Sequence, residues 1–188
     1  KGPDYRIPFV VSTKSHPTCK SEKPQDLSGR YRVTFVSDNG DSTPAIGLFK
    51  QDGFHITGTF QTETGDYRYL HGRVCGNKME LSTFDGSHAF WFDARKEANG
   101  ELNGVFRSGT HWKESWTAVK NNRHQLADMK QMTYLKEGYT GLNFRMSDLN
   151  GQYHSLSDSL YKNKVVIVQI LGTWCPNCMD ETKYLVEM

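Results

Sequence analysis

The chain has 188 residues, 36% of them apolar and 12% aromatic, and 23 Lys and Arg against 21 Asp and Glu leave a formal charge of +2. That length suits one large domain or two small ones, with aromatics enough for a packed core. Acids and bases are mixed throughout without a basic stripe or an acidic tail, which excludes nucleic acid and anionic membrane as expected partners, and the longest apolar run, 165–171, is far too short to span a bilayer.

Residues 1–26 carry Pro, Ser, Lys and Thr without apolar periodicity and read as an extended N-terminal arm. The first residue is Lys1 rather than Met, so a removed start is expected, whether a processed secretory precursor or an arbitrary boundary. No signal peptide is visible, and His16-Pro17-Thr18-Cys19 does not resemble a lipid-attachment box.

From Leu27 short alternating runs begin, at 29–37, 44–51, 54–62, 67–75, 78–84, 88–96, 101–108 and 113–120. Turn signals separate them: Asn39-Gly40, Asp52-Gly53, Gly65-Asp66, Gly76-Asn77, Asp85-Gly86, Asn99-Gly100 and Gly109-Thr110. Such dipeptides tolerate positive φ and suit tight hairpins. Eight strands joined in this way can close as an up-and-down barrel, which removes the sheet edges. The alternation agrees: Tyr31, Val33 and Phe35 share one face of the first run, and Phe90, Phe92 and Ala94 one face of the sixth. The expected fold is therefore mainly β, an eight-stranded antiparallel up-and-down barrel over 27–120, with a flat sandwich as the alternative. Trp91, Trp112 and Trp116 are expected to fill its interior or form a docking surface, ahead of a ligand pocket. Leu27-Ser28-Gly29-Arg30-Tyr31 and Thr57-Gly58-Thr59-Phe60 are similar to patterns in the calycin barrels, the avidin and lipocalin group.

After Lys120 the alternation stops. Leu126, Met129, Met132 and Leu135 lie at roughly helical spacing, so 121–137 is expected to be a linker with a short helix. Residues 142–146 and an Asn150-Gly151 turn suggest a strand and hairpin, and Ser155 to Asp158 the start of a helical turn. The run 165–171 has almost no polar alternation and reads as a central strand buried on both faces. A helix should begin at about Thr173, with Pro176 in its first turn and acids just after.

The four cysteines fall into a close pair, Cys175 and Cys178, and two singles. Cys19 and Cys75 read first as two unrelated thiols, and alternatively as a bridge tying the arm to the barrel in an oxidising compartment. The pair sits where a strand meets a helix N-terminus, whose unpaired amides and dipole favour a thiolate at Cys175. Cys178, one turn on, would then resolve the mixed disulfide that Cys175 forms. Half a zinc site is the competing chemistry, but no second Cys or His pair completes it, so no metal is expected. A structural disulfide across two residues would remove little chain entropy.

The segment from Val165 through Thr173-Trp174-Cys175-Pro176-Asn177-Cys178-Met179-Asp180-Glu181 resembles the active-site segment of TlpA-like thiol–disulfide oxidoreductases. This bacterial family is thioredoxin-folded and mostly extracytoplasmic. The stretch 144–156, with Asp148-Leu149-Asn150-Gly151, resembles the hairpin that opens redoxin domains. The resemblance implies an attacking Cys175, a resolving Cys178, and Trp174, Pro176 and Asn177 as the active-site flank. Glu181 matches the family's acid three residues past the second Cys, which tunes the pair or moves protons; a solvated carboxylate near the helix start is the plainer alternative. No cofactor is implied beyond the Cys175–Cys178 disulfide. The implied partners are protein thiols or disulfides and a redox partner upstream or downstream, in an extracytoplasmic compartment such as the bacterial periplasm. Peroxiredoxins place Pro seven and Thr or Ser three residues before the reactive Cys, where this chain has Val168 and Gly172, so peroxide reduction is not expected.

The resemblance covers 138–188, the N-terminal part of a thioredoxin-like domain, and stops before the cis-Pro loop and the remaining strands. An incomplete α/β segment is therefore expected, weakly active as it stands and prone to self-association. The competing function is a small-ligand or protein-binding barrel followed by a redox remnant.

Overall fold

The computed structural model describes Cys19 and residues 23–128 and 133–188. The chain divides into two compact units, the barrel with residues 174–188 in one and residues 127–173 in the other.

Eight of the strands in the first unit close a barrel: β1 (Gly29–Ser37), β2 (Ser42–Asp52), β3 (His55–Thr62), β5 (Leu70–Cys75), β6 (Lys78–Phe84), β7 (Ala89–Lys96), β8 (Leu102–Ser108) and β9 (Trp112–Lys120). A two-residue β4 (Gly65–Asp66) folds back on the end of β3. Every pairing is antiparallel and joins sequence neighbours, except that β5 pairs with β3 past the short β4, and that β9 returns to β1 with Val33 opposite Ala118. That last pairing closes the ring and removes the edges an open sheet would expose. The expected turn dipeptides mark the hairpin bends except Gly65-Asp66, which forms β4 itself, the turn falling two residues earlier at 63–64. Gly53, for example, has φ of 57°, a conformation costly for any residue carrying a Cβ.

Alternation puts one face of each strand inside. Tyr31, Val33, Phe35, Ile56, Phe60, Leu81, Phe92, Leu102, Phe106 and Trp116 are all buried. The interior is filled by rings: Phe60, Phe92 and Phe106 stack with centroids 4.6 and 4.5 Å apart, and Phe35 and Trp116 meet them edge-on or tilted. Offset and edge-to-face contacts of this kind add to the burial energy of each ring. Gly104 makes room for Trp116, because a Cβ there would run into the Asp93 carbonyl and the indole. Of the three tryptophans expected to fill the interior or form a docking surface, Trp116 is inside. Trp91 alternates with Phe90 and Phe92 and so faces outward, and Trp112 lies at the rim.

Leu27 plugs one end, fully buried, and Gln51 holds it there. The Gln51 Oε1 accepts the Leu27 amide at 2.8 Å, while its Nε2 donates to the carbonyls of Gln25 and Gly53 at 3.0 and 2.9 Å. Cys19 is disulfide-bonded to Cys75 at the end of β5, with Cα atoms 5.4 Å apart. This corrects the expectation of two unrelated thiols. A separation of 56 residues gives local sequence no means of reporting the contact. The rest of the N-terminal arm before Lys23 lies outside the described residues.

The fourth expected strand also differs from its expected span. The ladder resumes only at Leu70, because Tyr67 turns its ring into the barrel and Arg68 adopts φ of 62°. A residue in the left-handed region interrupts the pleat, so 67–69 leave the sheet.

In the second unit, β10 (Arg145–Ser147) and β11 (Tyr153–Ser155) form the expected hairpin, closed by Asp148, whose Oδ1 accepts the amides of Asn150 and Gln152. A 3-10 turn over Ser159–Tyr161 follows. No helix forms among the described residues of 121–137, where Leu135 is exposed; Met129 and Met132 lie outside them. A helix this short needs an apolar face buried against something. Residues 165–171 correct a further expectation. They form no strand, and Val165 and Ile170 are 95% and 96% exposed. A continuous apolar run becomes a central strand only where neighbours supply its ladder and cover its faces.

The chain ends in α1 (Pro176–Glu187). No helix among the described residues is long and apolar enough to cross a membrane.

Candidate functional site

Cys175 and Cys178 occupy the N-terminus of α1. Cys175 is the N-cap, with extended backbone at φ −100° and ψ 103°, and Pro176 is the first helical residue. Proline suits that position because its φ is already helical and the first turn needs no amide from it. The Cys175 Sγ accepts the backbone N–H of Cys178 at 3.3 Å, the place a serine or aspartate oxygen takes in an ordinary cap. The Cα atoms of the two cysteines are 5.3 Å apart and their sulfurs are bonded. The Met179 amide closes the first helical hydrogen bond onto the Cys175 carbonyl at 3.1 Å.

This arrangement has a direct chemical consequence once the pair is reduced. A thiolate at Cys175 would receive an amide hydrogen bond and the positive end of the helix dipole, both of which favour the anion. Cys178 sits inside the first turn, three residues on. Both cysteines are half-buried, so the difference between them comes from their helix positions rather than from exposure.

The remaining expected residues fall around the pair. Trp174 is 72% exposed beside Cys175. Glu181 is exposed on α1, three residues beyond Cys178 and so about one turn away. Asn177, between the cysteines, is half-buried and hydrogen-bonded at both ends of its amide to the β3–β5 loop of the barrel: its Oδ1 accepts from Arg68 Nη1 and its Nδ2 donates to the Asp66 carbonyl, both at 3.2 Å. Arg68 also pairs with the Asp180 carboxylate. Arg68 and Asp66 are the residues that sequence reasoning missed. Only the Gly65-Asp66 turn signal marks them, and it announces a bend without saying what the bend will meet. Among the described residues no group of His, Cys, Asp and Glu could hold a metal ion.

A second polar feature lies inside the barrel near one end. Glu114 is 8% exposed, and burial pushes its carboxyl above the ordinary range, opposed by a hydrogen bond from Trp112. Burial, reinforced by the Glu114 charge, likewise pushes the Tyr67 hydroxyl up.

No protein-family model matches the chain. Over 58 residues it is 38% identical to proteins named thiol-disulfide oxidoreductase ResA from Geobacillus thermodenitrificans and Geobacillus kaustophilus. The match covers 31% of this chain and 32% of each relative, so the chain spans about a third of the length of the curated relatives it matches. A thioredoxin-like redox protein is what this part of the chain is similar to.

Proposed function

We propose that the chain carries the redox centre of a thiol–disulfide oxidoreductase, with Cys175 as nucleophile, Cys178 as resolving thiol and the barrel as an accessory domain that docks a protein substrate. The observation that carries it is the cysteine pair at the start of α1, with the Cys178 amide directed at the Cys175 sulfur.

In the proposed reaction the Cys175 thiolate attacks one sulfur of a substrate disulfide. A mixed disulfide forms and the other substrate sulfur leaves as a thiolate, which takes up a proton. Cys178, losing its proton, attacks the Cys175 sulfur and expels the second substrate thiolate. The substrate gains two electrons, the Cys175–Cys178 disulfide holds the oxidised state, and an external dithiol returns the pair to its reduced form. Trp174 and Asn177 flank the exchanging sulfur, and Glu181 is assigned to proton movement near the pair.

An extracytoplasmic site is part of the proposal. Its support is the Cys19–Cys75 bond, a cross-link of the kind that persists in oxidising compartments. The filled barrel interior favours a docking surface over a small-ligand cavity. The test is insulin reduction by the full chain with dithiothreitol as electron source. Turnover above the uncatalysed rate, lost in Cys175→Ser, is expected; turnover unchanged by that substitution would exclude the pair as the centre.

A further inference from the structure

The loop between β3 and β5 is fixed from inside the barrel. The Tyr67 ring is enclosed by Phe35, Phe60, Phe90, Phe92 and Phe106 at centroid distances of 5.8, 6.2, 5.3, 5.3 and 5.0 Å. Its amide donates to the Phe60 carbonyl at 3.0 Å. On either side of this anchor stand Asp66 and Arg68. The Asp66 Oδ1 accepts the Arg68 amide at 2.9 Å, and Arg68 holds φ of 62°, a backbone state that non-glycine residues seldom adopt unless their surroundings impose it.

What this loop grips is the start of α1. Asn177 is one of the two residues separating Cys175 from Cys178, and the loop engages both ends of its amide. Asp180, two residues past Cys178, supplies the carboxylate that pairs with Arg68. A carboxylate so close to the cysteines opposes a thiolate by like charge, and a guanidinium on the same spot cancels it. Arg68 therefore acts on the pair in two ways: through the geometry of the intervening residue and through local charge.

We propose that Arg68 is a positioning residue for the Cys175–Cys178 couple, holding Asn177 between the cysteines and neutralising Asp180, so that the Cys175 thiolate is more stable than the helix start alone would make it. The proposal rests on the redox role assigned to the pair above. It makes the barrel a tuning element for the couple as well as a docking domain for the substrate.

A more stable thiolate favours the reduced form, which makes the couple more oxidising. Arg68→Ala removes the cation and leaves Asp180 uncompensated, so Cys175 should titrate higher and the disulfide should gain. The expected shift in the glutathione equilibrium is about threefold toward the disulfide, the scale of a partly exposed ion pair, or ~14 mV for a two-electron couple. Asp180→Asn should move both quantities the opposite way, and the double variant should return close to the parent. Arg68→Lys, which keeps the charge without the planar fork, should recover part of the shift.

The experiment uses the full chain and two readouts: the pH profile of Cys175 alkylation by iodoacetamide, and the oxidised fraction across glutathione redox buffers. Thermal melts accompany both. A purely structural Arg68 would lower the melting midpoint and leave both redox readouts unmoved. Opposite shifts from Arg68→Ala and Asp180→Asn support the proposal. If Arg68→Ala fails to fold, Asp180→Asn alone still decides, since no change in either readout would overturn the proposal. Shifts of the same sign in both variants, or Arg68→Ala indistinguishable from the parent, would overturn it as well. A parent chain whose cysteines do not exchange with glutathione at all would overturn the redox role itself, and that result is distinct from an unresponsive variant of an active parent.

Discussion

The Cys178 amide lies 3.3 Å from the Cys175 sulfur, and Pro176 between them offers no N–H of its own. The helix start thus directs its stabilisation of an anion at Cys175 rather than sharing it between the two thiols. In the fully reduced protein, iodoacetamide below one equivalent should label Cys175 first, as mapped on tryptic peptides. Cys178→Ser should accumulate a mixed disulfide with substrate, because the second attack is lost. Preferential labelling of Cys178 would reverse the two roles.

The Cys19–Cys75 bond should stabilise the barrel mainly through the unfolded chain. A closed loop of this length removes conformational entropy worth about 4 kcal/mol at room temperature. Cys75→Ala, made in a background where Cys175 and Cys178 are both serine, should lower the urea midpoint by a corresponding amount. A loss under about 1 kcal/mol would mean that the arm is held by other contacts, such as the Gln25 amide on the Gly76 carbonyl.

Glu114 makes the barrel sensitive to pH in a defined direction. Its folded pKa is raised above the unfolded value, so the folded state binds the proton more tightly. Its contribution is fully favourable below the unfolded carboxylate pKa and is lost as pH rises through the raised folded pKa. Glu114→Gln should therefore melt higher than the parent at pH 7, and the difference should vanish toward pH 4. A difference independent of pH would show that the charge is not what limits the site.

Residues 165–171 leave Val165, Ile167 and Ile170 exposed in one stretch. Contiguous apolar surface of this kind promotes association. The apparent mass by light scattering should rise with protein concentration, and Ile167→Lys should hold it at the monomer value while leaving the barrel's melt unchanged. A monomer at all concentrations would show that this stretch is covered in solution.

Much of the barrel is legible in the chain, and the residues show why. β1 and β6 start and end where the alternation of Tyr31, Val33 and Phe35 and the run 78–84 place them, since a period of two reports which face is buried. Hairpin turns are equally local: Asp52-Gly53 needs nothing beyond its neighbours to bend. The errors occur where a residue answers to something distant. Tyr67 has strand-forming character, yet it leaves the ladder to fill a space that five other rings define. The apolarity of 165–171 says that burial would be favourable there, and burial depends on neighbours that periodicity cannot supply.

The candidate site divides along the same line. Trp174-Cys175-Pro176-Asn177-Cys178 carries its own instructions: a capping residue, a proline suited to the first turn and a second thiol one turn on, all within reach of one another along the backbone. Short-range chemistry of this sort is written in the order of residues. The return of β9 to β1, the Cys19–Cys75 bond and the grip of Arg68 on Asn177 and Asp180 join positions separated by tens to more than a hundred residues. Their energy depends on where the closed barrel puts each side chain in space, and so they come into being only with the fold.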